Sequence, residues 1–108
     1  MFKRQLRLPS SVRFGSSKTI HTPFFLVKIS PNSLPYNRYG FIAGKAIDKR
    51  AVVRNRLKRQ FRAGIEGLHK DLKTGYDLLF VLRKSGITME NKKLHDEARM
   101  VLERQQLL

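Results

Sequence analysis

A dense block of cations near the middle of the chain is the part of the sequence best suited to chemistry. Seven of the fourteen residues from Lys49 to Arg62 are Lys or Arg, and none of the fourteen is acidic. Like charges at this density repel one another, so the block favours a polyanionic partner. Its chemistry is therefore predicted to be electrostatic binding of phosphates. The cations expected to make these contacts are Arg54, Arg56, Lys58, Arg59 and Arg62. Asn55 adds an amide that can hydrogen-bond a base or a sugar hydroxyl.

An apolar stripe runs through the same block and predicts how the cations are held. Val53, Leu57, Phe61, Ile65 and Leu68 follow one another at spacings of four, four, four and three. In a helix of 3.6 residues per turn, this spacing lines up on one side. We expect a helix that begins at Asp48 as its N-cap and ends at about residues 68–73. The cations then flank a side that packs on the core.

The remaining elements predict an α+β fold with one small sheet. Strands are expected at residues 19–21, 24–29, 39–43 and 77–82, and the second and third should pair antiparallel because they are neighbours in the chain. The strand at 77–82 is almost wholly apolar and should be central. A short helix is expected around residues 10–14. A last helix should begin at Thr88, and its core stripe would be Leu94, Ala98, Val101 and Leu102.

Composition narrows the class of partner. The chain has 108 residues and a net charge of +15, which fits a single nucleic-acid-binding domain spanning residues 1–108. No apolar run approaches the roughly 20 residues that a membrane span requires, so a membrane partner is not expected. The start of the chain has no apolar core of a signal peptide, and cysteine is absent. These features agree with a cytoplasmic protein.

Protein-based catalysis has little support in the residue pattern. The eight carboxylates form no evident acid/base pair or two-metal arrangement, and the three histidines are dispersed. No glycine-rich phosphate loop is present. We therefore expect no catalytic residue and no metal or cofactor bound by the protein alone. Aromatic side chains able to stack on unpaired bases favour RNA over DNA, although for Phe14 core packing is an equal alternative.

The residues around the cationic block resemble a known family. Residues 51–62, Ala-Val-Val-Arg-Asn-Arg-Leu-Lys-Arg-Gln-Phe-Arg, are similar to the Arg-Asn-Arg helix of the bacterial ribonuclease P protein subunit. The similarity extends upstream through residues 38–45 and downstream through residues 75–81 and the helix that begins at Thr88. It covers about residues 20–104 in the expected order and spacing.

This resemblance implies a ribonucleoprotein that removes the 5′ leader from precursor tRNA. In that family a large RNA is the catalyst and uses Mg²⁺ at its own active site, while the protein holds the leader and helps to shape the RNA. The implied partners are the catalytic ribonuclease P RNA and precursor tRNA, with one monomeric protein per RNA. The implied fold is a four-stranded sheet in the order α-β-β-β-α-β-α, like domain 2 of ribosomal protein S5, with a left-handed βαβ crossover.

The resemblance also implies roles for particular residues. Arg54, Asn55, Arg56, Lys58, Arg59 and Arg62 match the family's RNA-contacting helix, and Lys45, Lys49 and Arg50 match the basic entry to it. The family's leader-binding cleft would here involve Phe14, Phe24 and Val27.

This chain departs from the family pattern near that cleft. The segment from Leu8 to Phe24 is shorter, and we expect residues 1–18 to be partly flexible around a shortened first helix. Val27 stands where a stacking tyrosine is common, and Ala46 replaces a lysine.

Two other functions compete with this interpretation. A structural RNA-binding protein, such as a small ribosomal protein, would have a similar composition, and only the context of the Arg-Asn-Arg triplet separates the two. A stand-alone metal-dependent nuclease would need carboxylate clusters that the sequence does not show.

Overall fold

A computed structural model describes residues 6–8, 18–44, 47–86 and 91–108. Its regular elements are four strands and two long helices: β1 (Lys18–His21), β2 (Phe25–Pro31), β3 (Arg38–Ile42), α1 (Ala51–Leu68), β4 (Tyr76–Leu82) and α2 (Asn91–Arg104). Short 3-10 turns at His69–Asp71 and Lys84–Gly86 follow α1 and β4. The helix expected around residues 10–14 and the cap expected at Thr88 lie outside the described residues.

The four strands form one mixed sheet in the order β1-β2-β4-β3. β2 pairs antiparallel with both β1 and β4, whereas β3 pairs parallel with β4. Parallel neighbours need a long crossover, and α1 supplies it between β3 and β4. The central place expected for β4 is confirmed. The handedness of the crossover stays a prediction.

The expected antiparallel pairing of β2 with β3 is wrong, because β4 lies between them. β4 has Leu78, Phe80 and Leu82 buried on one side, with Leu79 and Val81 half-buried on the other. A strand that is apolar on both faces loses most contact with water when it has a neighbour on each edge. The burial of β4 between two strands therefore outweighs the tendency of β2 and β3, which are neighbours in the chain, to pair.

The core lies between the sheet and the two helices. Phe61 of α1 contacts Phe25 and Phe80, and both pairs of ring centroids are 5.1 Å apart. Most residues of the stripes expected on the helices are buried, and only Leu68 of α1 is half-buried against the core. The buried members are Val53, Leu57, Phe61 and Ile65 on α1, and Leu94, Ala98, Val101 and Leu102 on α2. Each large apolar side chain buried in this way contributes about 1.5–3 kcal/mol.

The two helices pack together closely at Gly64 of α1. A Cβ atom at this position would overlap the ring of His95 on α2. The Nε2 atom of His95 also lies 3.0 Å from the carbonyl oxygen of Gln60, one turn earlier on α1. The missing side chain at Gly64 therefore lets the two helices pack closely, and this contact fixes how α2 lies against α1.

Buried polar groups hold the amino-terminal ends of β3 and β4 together. Asp77 accepts hydrogen bonds from Nε and Nη2 of Arg38, each at 2.8 Å, and from Nδ2 of Asn32 at 3.0 Å. Asn37, which is 1% exposed, accepts the backbone N–H of Tyr76. A buried carboxylate needs such partners to offset its desolvation. Since Arg38 and Asp77 face each other in the parallel register, their ion pair reinforces that register.

Candidate nucleic-acid interface

The cations of α1 lie in two groups around the helix. Arg54, Lys58 and Arg62, spaced four residues apart, are half-buried beside the core stripe. Asn55, Arg56 and Arg59 are exposed, and at 100° per residue Arg59 points directly away from the core. The predicted flank of cations is thus present on a helix that is anchored by its own apolar side.

The half-buried group includes two arginines whose heads contact the protein itself. Nη1 of Arg54 donates to the carbonyl oxygens of Asp48 and Lys49, both at 2.9 Å. The guanidinium of Arg62 lies 5.4 Å from the centre of the Phe41 ring, within cation–π range. These contacts hold the two side chains in place and orient them along the side of α1 next to β3.

The other cations of the helix are free to meet a ligand. Among the residues that the structure describes, Arg56, Lys58 and Arg59 have no hydrogen bond or ion pair. Because none of the three has an ion-pair partner among the described residues, only solvent ions compensate their charge. A phosphate backbone that replaces those ions gains the entropy of their release. This part of α1 can therefore bind a nucleic-acid backbone and hydrogen-bond through Asn55 to a base or a sugar.

The start of α1 differs from the expectation that Asp48 is its N-cap. The helix begins at Ala51, its N-cap is Arg50, and no side chain caps it. The Asp48 carboxylate instead accepts the backbone N–H of Arg50 at 2.8 Å. It also accepts hydrogen bonds from Nε and Nη2 of the Arg50 side chain, at 3.1 and 3.0 Å. Because this carboxylate bonds its neighbour two residues on, the helix begins later than a cap at Asp48 would place it.

These bonds also determine the protonation of Asp48. The side-chain and backbone hydrogen bonds from Arg50, followed by the charges of Arg50 and Arg54, lower the pKa of Asp48 to about 2. Asp48 is therefore ionised at neutral pH. Lys49 and Arg50 stay exposed at the entry to the helix, whereas Lys45 lies outside the described residues.

Two of the three residues proposed for a leader cleft, Phe24 and Val27, lie within the described residues. Val27 is fully buried on the face that α1 covers, so its assignment to a binding surface is wrong. Phe24 is half-buried and packs against the core, and Phe14 lies outside the described residues. Strand side chains alternate between faces, so Leu26 and Lys28 point to the opposite face from Val27. The period-two pattern of Phe25, Val27 and Ile29 could have revealed this.

One polar contact that was not predicted from the sequence joins the last residue of β1 to the residue that follows β4. Nη2 of Arg83 is 2.9 Å from Nδ1 of His21, on the same side of the sheet as Lys28. Three cationic or imidazole side chains thus share the face opposite α1. Within the described residues, no group of three His, Asp or Glu side chains could hold a metal ion. No helix in the described part of the chain is long and apolar enough to cross a membrane.

Comparison with protein families and sequences identifies relatives of this chain. Residues 2–106 match the family model for ribonuclease P. The ribonuclease P protein component of Caldanaerobacter subterraneus subsp. tengcongensis is 39% identical over 70 residues, which are 65% of this chain and 60% of that protein. The corresponding protein of a Cyanothece species is 36% identical over 77 residues, covering 71% of this chain and 59% of that protein. The chain thus matches about three fifths of the length of these two relatives.

Solved structures show the same fold. The RNase P protein of Staphylococcus aureus aligns with a TM-score of 0.81 and 20% identity, covering 94% of this chain and 96% of that one. The protein from Thermotoga maritima aligns with a TM-score of 0.76 and 22% identity, covering 84% and 86%. At this level of identity the likeness concerns the arrangement of the sheet and helices.

Proposed function

The chain belongs to the ribonuclease P protein family, and from this premise we propose that it is the protein subunit of a ribonuclease P. In this proposal it binds a catalytic RNA and assists the endonucleolytic removal of the 5′ leader from precursor tRNA in the cytoplasm. The active site, with its Mg²⁺, belongs to the RNA. The protein contributes binding energy and no catalytic residue, as one monomer per RNA.

The observation that carries this proposal is the acid-free run of cations from residue 49 to residue 62, most of which lies on α1. Its core stripe of Val53, Leu57, Phe61 and Ile65 is buried, so the helix is rigidly anchored. A rigid helix presents its cations at fixed spacing, which reduces the entropy lost when they bind phosphates. The residues proposed to form the interface with the catalytic RNA, by contact or by positioning, are Lys45, Lys49, Arg50, Arg54, Asn55, Arg56, Lys58, Arg59 and Arg62.

The salt dependence of RNA binding measures how much these cations contribute to it. If Lys49, Arg50 and four cations of α1, namely Arg56, Lys58, Arg59 and Arg62, each neutralise one phosphate, about six counterions are released. The logarithm of the association constant should then fall with the logarithm of salt concentration at a slope of about −4 to −5. A slope near −1 would show that the cationic block is not the main interface.

The leader is proposed to bind on the sheet face opposite α1. Leu26, Leu79 and Val81 provide apolar surface there, and Lys28 adds a cation that can contact the leader's phosphates. Phe24 and Phe14 stay candidates for stacking at its edge. Val27 has no part in this surface because it is buried beneath α1.

Reconstitution with the ribonuclease P RNA of the same organism tests the proposed function. The protein alone should leave precursor tRNA uncut, and the RNA with the protein should cleave it faster than the RNA alone at low Mg²⁺. Cleavage by the protein alone would overturn the assignment of catalysis to RNA. A failure to stimulate the RNA at any Mg²⁺ concentration would overturn the function itself.

The leader surface is tested in the same assay with two substrates. Precursor tRNA with a long leader should gain more from the protein than precursor tRNA whose leader is one nucleotide long. Lys28→Ala should reduce that difference. Lys18→Ala serves as the matched control, because Lys18 is an exposed cation of β1 whose pairing with Ile29 puts it on the other face of the sheet. Equal stimulation of both substrates by the unaltered protein would remove the leader from the proposal.

A further inference from the structure

A side chain of α1 folds back and bonds the segment that precedes the helix. Nη1 of Arg54 donates to the carbonyl oxygens of both Asp48 and Lys49. Within the described residues neither carbonyl accepts a backbone hydrogen bond of the helix, since the first acceptor of α1 is the carbonyl of Arg50, which bonds the N–H groups of Val53 and Arg54. Arg54 therefore connects the first turn of the helix to the two residues before its N-cap.

A second set of bonds holds the same segment from the other side. The Asp48 carboxylate bonds both the backbone N–H and the side chain of Arg50. The Arg50 side chain nevertheless stays 73% exposed, so it is oriented without being removed from solvent. Lys49 lies between the two bonded residues. Its backbone is consequently fixed on both sides while its side chain is exposed.

We propose that Arg54 is a positioning residue, which sets Lys49 and Arg50 in the geometry in which they bind the catalytic RNA. This inference rests on the proposed function. It separates the two arginines of the Arg-Asn-Arg triplet, because Arg56 makes no hydrogen bond or ion pair with the described residues and is free to contact RNA directly. The effect of Arg54 on binding would then pass through the two cations before the helix.

Lysine at position 54 is the most informative substitution. It keeps the charge and the helix propensity, so the field of the helix and its stability change little. Its side chain is one bond shorter than that of arginine and ends in a hydrated point charge instead of a planar fork. Arg54→Lys should therefore lose the two carbonyl contacts while retaining a cation for any phosphate nearby.

A double-mutant cycle distinguishes positioning from direct contact. Dissociation constants for the catalytic RNA would be measured for the unaltered protein, Arg54→Lys, the pair Lys49→Ala with Arg50→Ala, and the combination of all three. If Arg54 acts through Lys49 and Arg50, Arg54→Lys should weaken binding about tenfold alone and less than twofold in the combination. The same factor in both backgrounds would overturn the proposal.

Arg59→Lys is the matched control, because Arg59 lies five residues further along α1 and makes no hydrogen bond or ion pair among the described residues. Its effect should be the same factor in both backgrounds. If Arg59→Lys also lost its effect in the Lys49→Ala, Arg50→Ala background, coupling would be general along the helix, and the specific role of Arg54 would be refuted.

A measurement without RNA tests the positioning separately from the function. The pKa of the Asp48 carboxyl, followed by NMR, should rise from about 2 towards its ordinary 3.8 in Arg54→Lys, because a loosened segment weakens the bonds from Arg50. It should not change in Arg59→Lys. An unchanged Asp48 in Arg54→Lys would contradict the positioning role. If the unaltered protein bound no catalytic RNA, the proposed function would fail, and this titration would still decide how the segment is held.

Discussion

The two long helices of this protein bury similar stripes but differ in their exposed sides. α1 and α2 each place four apolar residues in the core. The exposed side of α2 mixes signs, and Arg99 pairs with Glu103 one turn later at 3.1 Å. The exposed side of α1 carries cations with no acid from residue 49 to residue 62. The comparison shows that the buried stripe builds the fold, whereas the sign pattern outside it determines what each helix can bind.

The largest expected effect concerns the feature that the two helices share. Leu57→Ala on α1 and Leu94→Ala on α2 each remove a side chain that is at most 4% exposed. Each should lower the free energy of unfolding by about 2–5 kcal/mol, because a cavity is added to the lost burial. Urea denaturation measures both. A neutral Leu57→Ala would show that α1 is held by something other than its stripe.

A smaller effect is expected where the two helices touch. Gly64→Ala forces the His95 ring away from Gln60 and should cost about 1–3 kcal/mol of unfolding free energy. Gly67→Ala is the matched control on the same helix, with nothing within 4 Å of the added Cβ, and should stabilise by up to about 1 kcal/mol. If thermal unfolding showed both variants stabilised alike, the close contact between α1 and α2 would be refuted.

The smallest effect concerns the difference between the exposed sides. Arg59→Ala should weaken binding to the catalytic RNA about four- to sixfold at 0.15 M salt and flatten the salt slope by about one unit, as expected for one lost phosphate contact. Arg99→Ala on α2 removes a cation of the mixed surface and should leave both quantities unchanged. Equal effects of the two substitutions would mean that binding depends on the net charge of the protein and not on the cations between residues 49 and 62.

Helical periodicity was predicted well from the sequence. The core stripes of α1 and α2 and the end of α1 near Leu68 agree with the structure. These features depend on side chains three or four residues apart, so a local pattern contains the information. The cationic side followed from the same geometry, because a helix whose buried side is known has a known exposed side.

Strand partners and the start of α1 were predicted less well. Pairing β2 with β3 relied on their adjacency in the chain, yet β4 takes the place between them. The Asp48 carboxylate could have capped the first turn of α1, but it accepts hydrogen bonds from Arg50 instead. Both outcomes depend on contacts that compete with the local signal and are decided by the rest of the molecule.

The placement of Val27 shows the same limit within a single strand. The alternation along β2 assigns its residues to two faces but does not say which face the helices cover. Phe61 of α1 packs on Phe25, and this contact puts Val27 on the buried face and Lys28 on the other.

By itself, the sequence determined that this protein has an anchored cationic helix, because charge and periodicity are local properties of the chain. The tertiary structure decided how those cations are used. It folds Arg54 back onto Asp48 and Lys49 and lays Arg62 on Phe41. It leaves Arg56, Lys58 and Arg59 without a hydrogen bond or ion pair in the described part of the chain. The reason is that an arginine's reach spans several neighbouring residues, and only folding determines which of them lie within it.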